Sequence, residues 1–299
     1  MPHTNPVHRN GRRYKRLPAR KAWRAVLLGA GVSALGGGAA AAPADLFIYV
    51  PNFNDDTVGV FSTNTDGTAS PVTTVGGVGS TLLSSTVRGD QAFAYVPSRG
   101  SDTLSVVDTA TNTVVQTINT GIQPSGLAFT PDGAHAYLAL GSGGVEVYDV
   151  DAVSGQLTSV TTVSTGAGSG LRNLVLSPDG TRAYAVDQVQ DRVVVIDTAT
   201  NSVLTNVTVG DQPLNITVSP DGAHLYVSNF TDNSVSVIDT AIHSVSAALS
   251  LDFGGTLGRG PDGVAVSPDG AYLYVANRTT GNITIIDTAT GTAVGIVSN

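Results

Sequence analysis

One sequence unit occurs six times in this chain, and this repetition limits the folds that the chain can adopt. Each copy contains a Tyr followed by an apolar residue, and successive copies of this Tyr are 42 to 48 residues apart. The six residues are Tyr49, Tyr95, Tyr137, Tyr184, Tyr226 and Tyr274. A period of this length is typical of folds in which one supersecondary unit packs on the next. The copies begin near residues 45, 80, 121, 168, 210 and 259.

Each copy divides into four short runs that favour β-strands. Four copies contain the turn sequence Pro-Asp-Gly before the Tyr, as at Pro178 to Gly180. Pro fixes φ, Asp bonds its own backbone and Gly accepts a positive φ, so this tripeptide favours a tight turn. The third run is apolar at successive positions, as at Val193 to Ile196, which indicates a strand covered on both faces. The pattern predicts an all-β chain that forms a β-propeller of four-stranded blades.

The motifs YVPN at Tyr49, YVSN at Tyr226 and YVAN at Tyr274 resemble the YVTN-type β-propeller repeat. The resemblance covers about residues 45–299. It implies a secreted or surface-attached binding or scaffold module, with relatives among lactonases and nitrous-oxide-reductase-like propellers. That family more often has seven blades. Here the first copy starts at its second strand, so we expect six blades of which the first has three strands; a truncated ring is the alternative.

Residues 1–44 are predicted to be a secretory signal peptide. They contain eight of the fifteen Lys and Arg residues, then a weakly apolar run and the small-x-small site Ala42 to Ala44. Residues 45–299, the predicted single propeller domain, contain seven Arg residues against 23 acids, a formal charge of −16. This charge disfavours nucleic-acid binding. We expect an extracytoplasmic monomer that is periplasmic, secreted or on the cell surface, with no membrane insertion after cleavage.

Candidate binding residues lie in loops that a propeller places on one face, between the second and third strands and between blades. Arginine there suits an anionic ligand, because its planar fork binds carboxylate or phosphate in pairs. The alternative is that these arginines pair with neighbouring acids and order the loops. The predicted binding residues are Phe53, Asp55, Asp56, Arg99, Arg172, Asp187, Asp191, Arg192, Phe230, Asp232, Arg259 and Arg278.

The sequence favours a binding or scaffold module for a protein, peptide or glycan over an enzyme. No nucleophile–His–acid set is visible, and the single Glu of the chain, Glu146, falls within a third strand. The histidines His135, His224 and His243 fall in turns on the opposite face, so no catalytic or metal site is predicted. No cofactor is expected, although the loop aspartates would suit Ca²⁺. A lactonase-type hydrolase and a structural cell-surface protein remain the alternatives.

Overall fold

The computed structural model describes residues 47–53, 55–63 and 68–298, and every regular element in these ranges is a β-strand. The predicted signal peptide lies outside the described residues, so it stays a prediction. Within these ranges no helix is long and apolar enough to span a membrane.

The strands form six blades of consecutive antiparallel strands and one small hairpin. Blade one is β1 (Phe47–Asn52), β2 (Thr57–Thr63) and β3 (Ala69–Val75); blade two is β4 (Thr86–Val87), β5 (Phe93–Ser98), β6 (Thr103–Asp108) and β7 (Thr113–Asn119); blade three is β8 (Pro124–Phe129), β9 (His135–Leu140), β10 (Gly144–Val150) and β11 (Leu157–Val163). Blade four is β12 (Leu171–Leu176), β13 (Arg182–Asp187), β14 (Arg192–Asp197) and β15 (Ser202–Thr208); blade five is β16 (Pro213–Val218), β17 (His224–Asn229), β18 (Ser234–Asp239) and β19 (Ser244–Ser250). The hairpin β20 (Asp252–Phe253) and β21 (Thr256–Leu257) leads to blade six, which is β22 (Pro261–Val266), β23 (Tyr272–Asn277), β24 (Asn282–Asp287) and β25 (Thr292–Ser298).

This architecture confirms the predicted all-β propeller of six blades with a three-stranded first blade. The first strand of blade two is also short, because β4 has two residues. Blades one and two each have a Pro two residues after the motif Tyr, at Pro51 and Pro97. Pro lacks a backbone N–H, so it is tolerated where the neighbouring strand is missing or too short to accept that bond.

The Pro-Asp-Gly turns form as their residue types dictate, and blade four shows the pattern. Asp179 Oδ1 accepts hydrogen bonds from Ser177 Oγ at 2.6 Å and from the Thr181 N–H at 3.0 Å. Gly180 has a φ of 72°, and its N–H donates to the Ser177 carbonyl at 2.9 Å. These turns define one end of the ring, which we call the turn face. The loops between second and third strands define the opposite end, the loop face.

Apolar side chains between successive blades form the core of the propeller. Five buried clusters each join one blade to the next, from blades one and two to blades five and six. The third strands contribute to the clusters on both of their faces. In β14, Val194 and Ile196 pack against blade three and Val193 and Val195 against blade five, which explains why third strands are apolar at successive positions. In the described ranges, a sixth cluster contains residues of blade six alone.

The tripeptide Arg88-Gly89-Asp90 occupies the first turn of blade two and serves packing. Arg88 is 5% exposed, and its Nη2 lies 2.5 Å from Asp90 Oδ2. Its Nη1 donates to the Asp151 carbonyl of blade three at 3.0 Å. The guanidinium also lies over the Phe93 ring at 4.9 Å. Arg88, held by Asp90, therefore helps to fix blade two against blade three.

Candidate functional site

An axial cavity of about 890 Å³ opens on the loop face. All six blades contribute to its wall, and apolar atoms make up most of the lining surface. Its volume falls in the range of small-molecule sites, roughly 300–1,000 Å³. In blades three to five the lining consists of first-strand residues, namely Ser125, Gly126, Arg172, Asn173, Leu214 and Asn215.

Small and amide side chains close the ring around the axis. Gly126, Asn173, Asn215 and Gly263 share one repeat position, the third residue of each first strand. Asn173 Nδ2 donates to Asn215 Oδ1 at 2.9 Å. A side chain on Gly126 would bring its Cβ to 2.3 Å from Asn173 Oδ1. Glycine at this position therefore lets the blades approach while leaving the cavity open.

Arg172 is the least compensated charge of the site. It is half-buried on β12, and it has no hydrogen bond or ion pair with any residue that the structure describes. Burial lowers the pKa of the Arg172 guanidinium, and the like charge of Arg99 lowers it further. Arg278 acts in the same direction, whereas Asp262 raises this pKa. Arg99 and Arg278 therefore both lie close enough to repel Arg172, and we call the three residues the arginine cluster.

Arg278 is partly neutralised by one carboxylate, whereas Arg99 has no acidic partner among the described residues. Arg99 donates to the neutral side chain of Gln123, with Nη2 at 2.7 Å from Oε1. Arg278 Nη1 lies 3.4 Å from Asp262 Oδ2, and its guanidinium lies 5.2 Å from the centre of the Phe230 ring. Asp262 is the single acid on the described cavity wall, so the three arginines exceed the neighbouring negative charge by two.

Asp187 and Arg192, both predicted to bind, form an internal pair in blade four. Asp187 is fully buried, and Arg192 Nε lies 3.1 Å from its Oδ2. Burial alone would raise the pKa of Asp187, but hydrogen bonds from Ser169 and the Gly170 N–H lower it below its ordinary value. These contacts connect the loop that enters blade four with the loop after β13. The structure therefore uses both side chains within the fold.

Asp56 and Asp191 belong to a set of hydrogen bonds that join consecutive blades. In four blades, the residue directly before the third strand accepts the backbone N–H of the next interblade loop. We call these contacts interblade bonds: Asp56 to Thr81 at 3.3 Å, Asp102 to Gln123 at 2.7 Å, Asp191 to Gln212 at 2.8 Å and Asn233 to Gly260 at 2.9 Å. All four acceptors have a positive φ, between 50° and 53°. Asn and Asp tolerate this conformation better than most residues.

The remaining predicted residues lie around the cavity mouth or within loops. Phe53 is 54% exposed and lines the cavity from blade one. Asp232 Oδ2 accepts the Asp211 N–H at 2.8 Å, so it orders the loop between blades four and five. Asp55 and Arg259 are exposed, and the backbone N–H of Arg259 donates a hydrogen bond to Thr280 Oγ1. The structure thus gathers Phe53, Arg99, Arg172 and Arg278 at the cavity.

Sequence reasoning missed the part of the cavity wall that blade six provides. Ala276, Gly281, Asn282 and Ile283 line the cavity, although they belong to the second and third strands and the loop between them. We call this part the lateral limb, because blades three to five contribute first-strand residues alone. No sequence signal distinguishes Ala276 and Ile283, since their equivalents in blade four, Val186 and Val193, are also apolar.

The histidines lie away from this cavity. His135 Nδ1 pairs with Asp149 at 2.9 Å on the turn face, and His224 stacks on Tyr226 with ring centres 6.5 Å apart. In the described part of the chain, no three His, Asp or Glu side chains come together in a way that could hold a metal ion. The chemistry that the site offers from its own residues is recognition of negative charge by arginine.

Comparisons with known proteins agree with the propeller. A curated relative, the seven-bladed β-propeller protein Rv1057 of Mycobacterium tuberculosis (strain ATCC 25618 / H37Rv), is 30% identical over 134 residues. This match covers 44% of the chain and spans about a third, 34%, of that relative. Hydrazine synthase of Kuenenia stuttgartiensis is 28% identical with a TM-score of 0.70, covering 81% of this chain and 73% of that one.

A protein of Bacteroides fragilis that is provisionally assigned as a 6-phosphogluconolactonase has a TM-score of 0.71 at 22% identity. The likeness covers 84% of this chain and 81% of that one, and at this identity it shows the fold alone. The family model described as lactonase, seven-bladed β-propeller matches residues 127–294, which is more than half of the chain. The chain therefore belongs to the lactonase family of seven-bladed β-propellers.

Proposed function

We propose that this propeller is a binding module that holds an anionic ligand in the axial cavity. The observation that carries the proposal is Arg172, a half-buried charge without a described partner, between Arg99 and Arg278. Removing an arginine from water without a partner costs free energy. A carboxylate or phosphate between the three arginines would offset that cost through charge-assisted, bidentate hydrogen bonds.

The charge distribution of the whole chain supports the same proposal. Residues 45–299 contain 23 acids and seven arginines, yet three of those arginines line one cavity that has a single acid in its wall. An acidic surface around a basic cavity would favour a small ligand or one extended acidic group over a large polyanion. The predicted protein, peptide or glycan partner would then contact the site through such a group.

A lactonase-type hydrolase is the second candidate, and family membership favours it. In this proposal the arginine cluster would hold an anionic substituent of the lactone and stabilise the carbonyl oxygen as water attacks. Asp262, the one carboxylate of the described cavity wall, would accept the proton of that water. The ring C–O bond would then break, and the leaving oxygen would take the proton back to give a hydroxy acid.

Location and cofactors stay proposals. The basic leader, the apolar run and the small-x-small site support export from the cytoplasm, and we propose that the mature chain acts there as a monomer. Neither candidate function requires a cofactor, and Ca²⁺ binding by the loop aspartates stays an untested alternative.

Binding is tested by titrating the protein with inorganic phosphate, citrate and neutral glucose in a calorimeter. We expect the two anions to bind and glucose not to bind. Arg172→Gln should weaken anion binding by tenfold or more, whereas the matched control Arg259→Gln removes an exposed arginine off the cavity and should not. Equal affinity of R172Q and wild type, or no anion binding by wild type, would contradict the proposal.

A second experiment, with a variant of Asp262, separates the two candidates. Wild type and Asp262→Asn would be incubated with glucono-δ-lactone and its 6-phosphate, and the released acid would be followed by pH-stat. Hydrolysis that D262N abolishes would establish the lactonase. Anion binding without hydrolysis above the uncatalysed rate would support the binding module and exclude hydrolysis of these two lactones.

A further inference from the structure

Each blade has one face that is turned toward the next blade along the chain. On blade six this face is covered differently from the same face of the other blades. In blade four this face contains Tyr184, Val186, Val193, Val195 and Val207, all packed against the apolar residues of blade five. The register of the strands places Tyr274, Ala276, Ile283, Ile285 and Val297 at the equivalent positions of blade six. Val207 is 5% exposed and Val297 is 51% exposed.

The junction between blade six and blade one, which we call the seam, has no interblade bond among the described residues. It shares this with the junction of blades three and four, where Gly143 stands directly before β10. Gly281 stands directly before β24, at the position that Asp191 and Asn233 occupy in blades four and five. Its φ is also positive, at 65°, but it has no side chain that could accept a hydrogen bond. No described atom lies within 4 Å of where its Cβ would stand. In the described ranges no buried apolar cluster joins blade six to blade one.

The axial cavity extends into this seam. Its lateral limb runs from the first-strand residues Asp262 and Gly263 to Ala276 and Ile283, which are paired across β23 and β24 and so share one face. Phe53 of blade one lines the same cavity. The cavity is therefore basic near the axis and mostly apolar where it reaches the seam.

We propose that the ligand of this cavity is a soluble amphipathic carboxylate, with its charged group at the arginine cluster and a hydrocarbon chain in the lateral limb. The inference rests on the proposed anion binding and adds the apolar part of the ligand. A chain of several methylenes between Ala276, Ile283 and Phe53 would cover apolar surface that the next blade covers elsewhere. Burial of each methylene increases affinity by about fourfold.

A short anion would leave the lateral limb unused, and a neutral alcohol would leave the arginines unpaired. A β-sheet of another protein could also cover the seam, but it would not meet the charge at the axis. The carboxylate with an alkyl chain satisfies both parts of one continuous cavity. Charge complementarity and the continuity of the cavity together favour this occupant.

The test compares acetate, hexanoate, decanoate and the neutral decanol as probes, each below its micelle concentration. For wild type we expect affinity to rise with chain length, by at least 50-fold from acetate to decanoate, and decanol to bind far more weakly than decanoate. Ile283→Asn should remove most of the chain-length dependence while leaving acetate unchanged. Ile122→Asn is the matched control, because Ile122 is 59% exposed on the loop face outside the cavity.

Each outcome is decisive. Equal affinity for acetate and decanoate would overturn the inference and leave the anion site standing, whereas no binding of any carboxylate would overturn both. Equal binding of decanol and decanoate, unaffected by R172Q, would indicate an apolar cleft without charge recognition and would also overturn it. If I283N does not fold, Ala276→Leu fills the same limb and is expected to weaken decanoate more than acetate.

Discussion

Blades four and six present nearly the same apolar face to whatever follows them, but the two faces meet different surroundings. Blade four packs against blade five through a buried cluster, and Asp191 adds an interblade bond to Gln212. Blade six has Gly281 in place of Asp191, and its outer Val297 is half exposed. The comparison teaches that apolar alternation along a strand does not determine whether a face is covered. The polar contact at the loop end does not determine it either, because blades three and four share a buried cluster although Gly143 offers no acceptor for an interblade bond.

The largest expected difference comes from introducing the same charge at equivalent positions. Val207→Asp places a carboxylate in the closed interface and should cost about 3 kcal/mol or more of unfolding free energy. Val297→Asp should cost less than about 0.5 kcal/mol, because that side chain is already half in water. Urea unfolding of both variants measures the difference. Equal losses would show that the seam is closed in solution.

The interblade bond comes next. Asp191→Ala should destabilise the protein by about 1–2 kcal/mol, since it removes the acceptor of the Gln212 N–H and places Ala at a φ of 50°. Asp191→Asn keeps an acceptor and tolerates this φ, so it should lose less than half as much. Thermal unfolding of the two variants measures this. If D191N lost as much stability as D191A, the amide oxygen of Asn would not replace the Asp191 carboxylate as acceptor of the Gln212 N–H.

A smaller effect is expected from a single hydroxyl. Tyr137 Oη donates to Asn201 Oδ1 of the next blade at 2.8 Å, whereas Tyr274 has no such bond among the described residues. Tyr137→Phe should therefore cost about 1 kcal/mol, and Tyr274→Phe close to nothing. Equilibrium denaturation compares the two. A larger loss in Y274F would place a hydrogen-bond partner for this hydroxyl at the seam.

Acid should weaken the Pro-Asp-Gly turns, as the aspartates of blades four and five show. Hydrogen bonds from Ser177 and Thr181 lower the pKa of Asp179 below its ordinary 3.8, and Ser219 and Ala223 do the same for Asp221. A lowered folded pKa gives stability that is complete above the ordinary value and lost as pH falls through the folded one. We expect Tm to fall as the pH drops below about 4, and Asp179→Asn to fall less. If Tm fell with pH in D179N as steeply as in wild type, the loss of stability in acid would come from groups other than Asp179.

Replacement of Arg172 tests how much stability the protein loses by keeping this charge in the cavity. Arg172→Gln removes a half-buried charge that neighbouring arginines repel, so we expect Tm to rise by roughly 2–4 °C, equivalent to about 1 kcal/mol. The same variant should lose anion binding, which is a common trade between stability and function. Differential scanning calorimetry with and without citrate measures both effects. A lower Tm without ligand would show that Arg172 has a stabilising partner.

The sequence was sufficient to predict the fold, because each repeated unit contains its own turn residues and strand pattern. It was less sufficient for the site. Asp56 and Asp191 were predicted to bind a ligand, yet they stand directly before third strands in a repeated position, which is a signal for an architectural role. Arg172 was predicted to be a binding residue of an interblade loop; it lies on β12 in the cavity wall, where other blades have Ser125 and Leu214. The lateral limb depends on the space between two blades distant in sequence, so no local pattern reveals it.

Buried clusters that join each blade to the next, and a seam without one in the described ranges, give the propeller the energetics of a row with two ends. In such a row each unit depends on its immediate neighbours, and the terminal units are the first to separate. A further copy of the unit added at the seam would meet an apolar face already suited to it and would disturb none of the other five junctions. Gene duplication could therefore change the number of blades at this one place, which offers a physical route between six-bladed and seven-bladed members of one family.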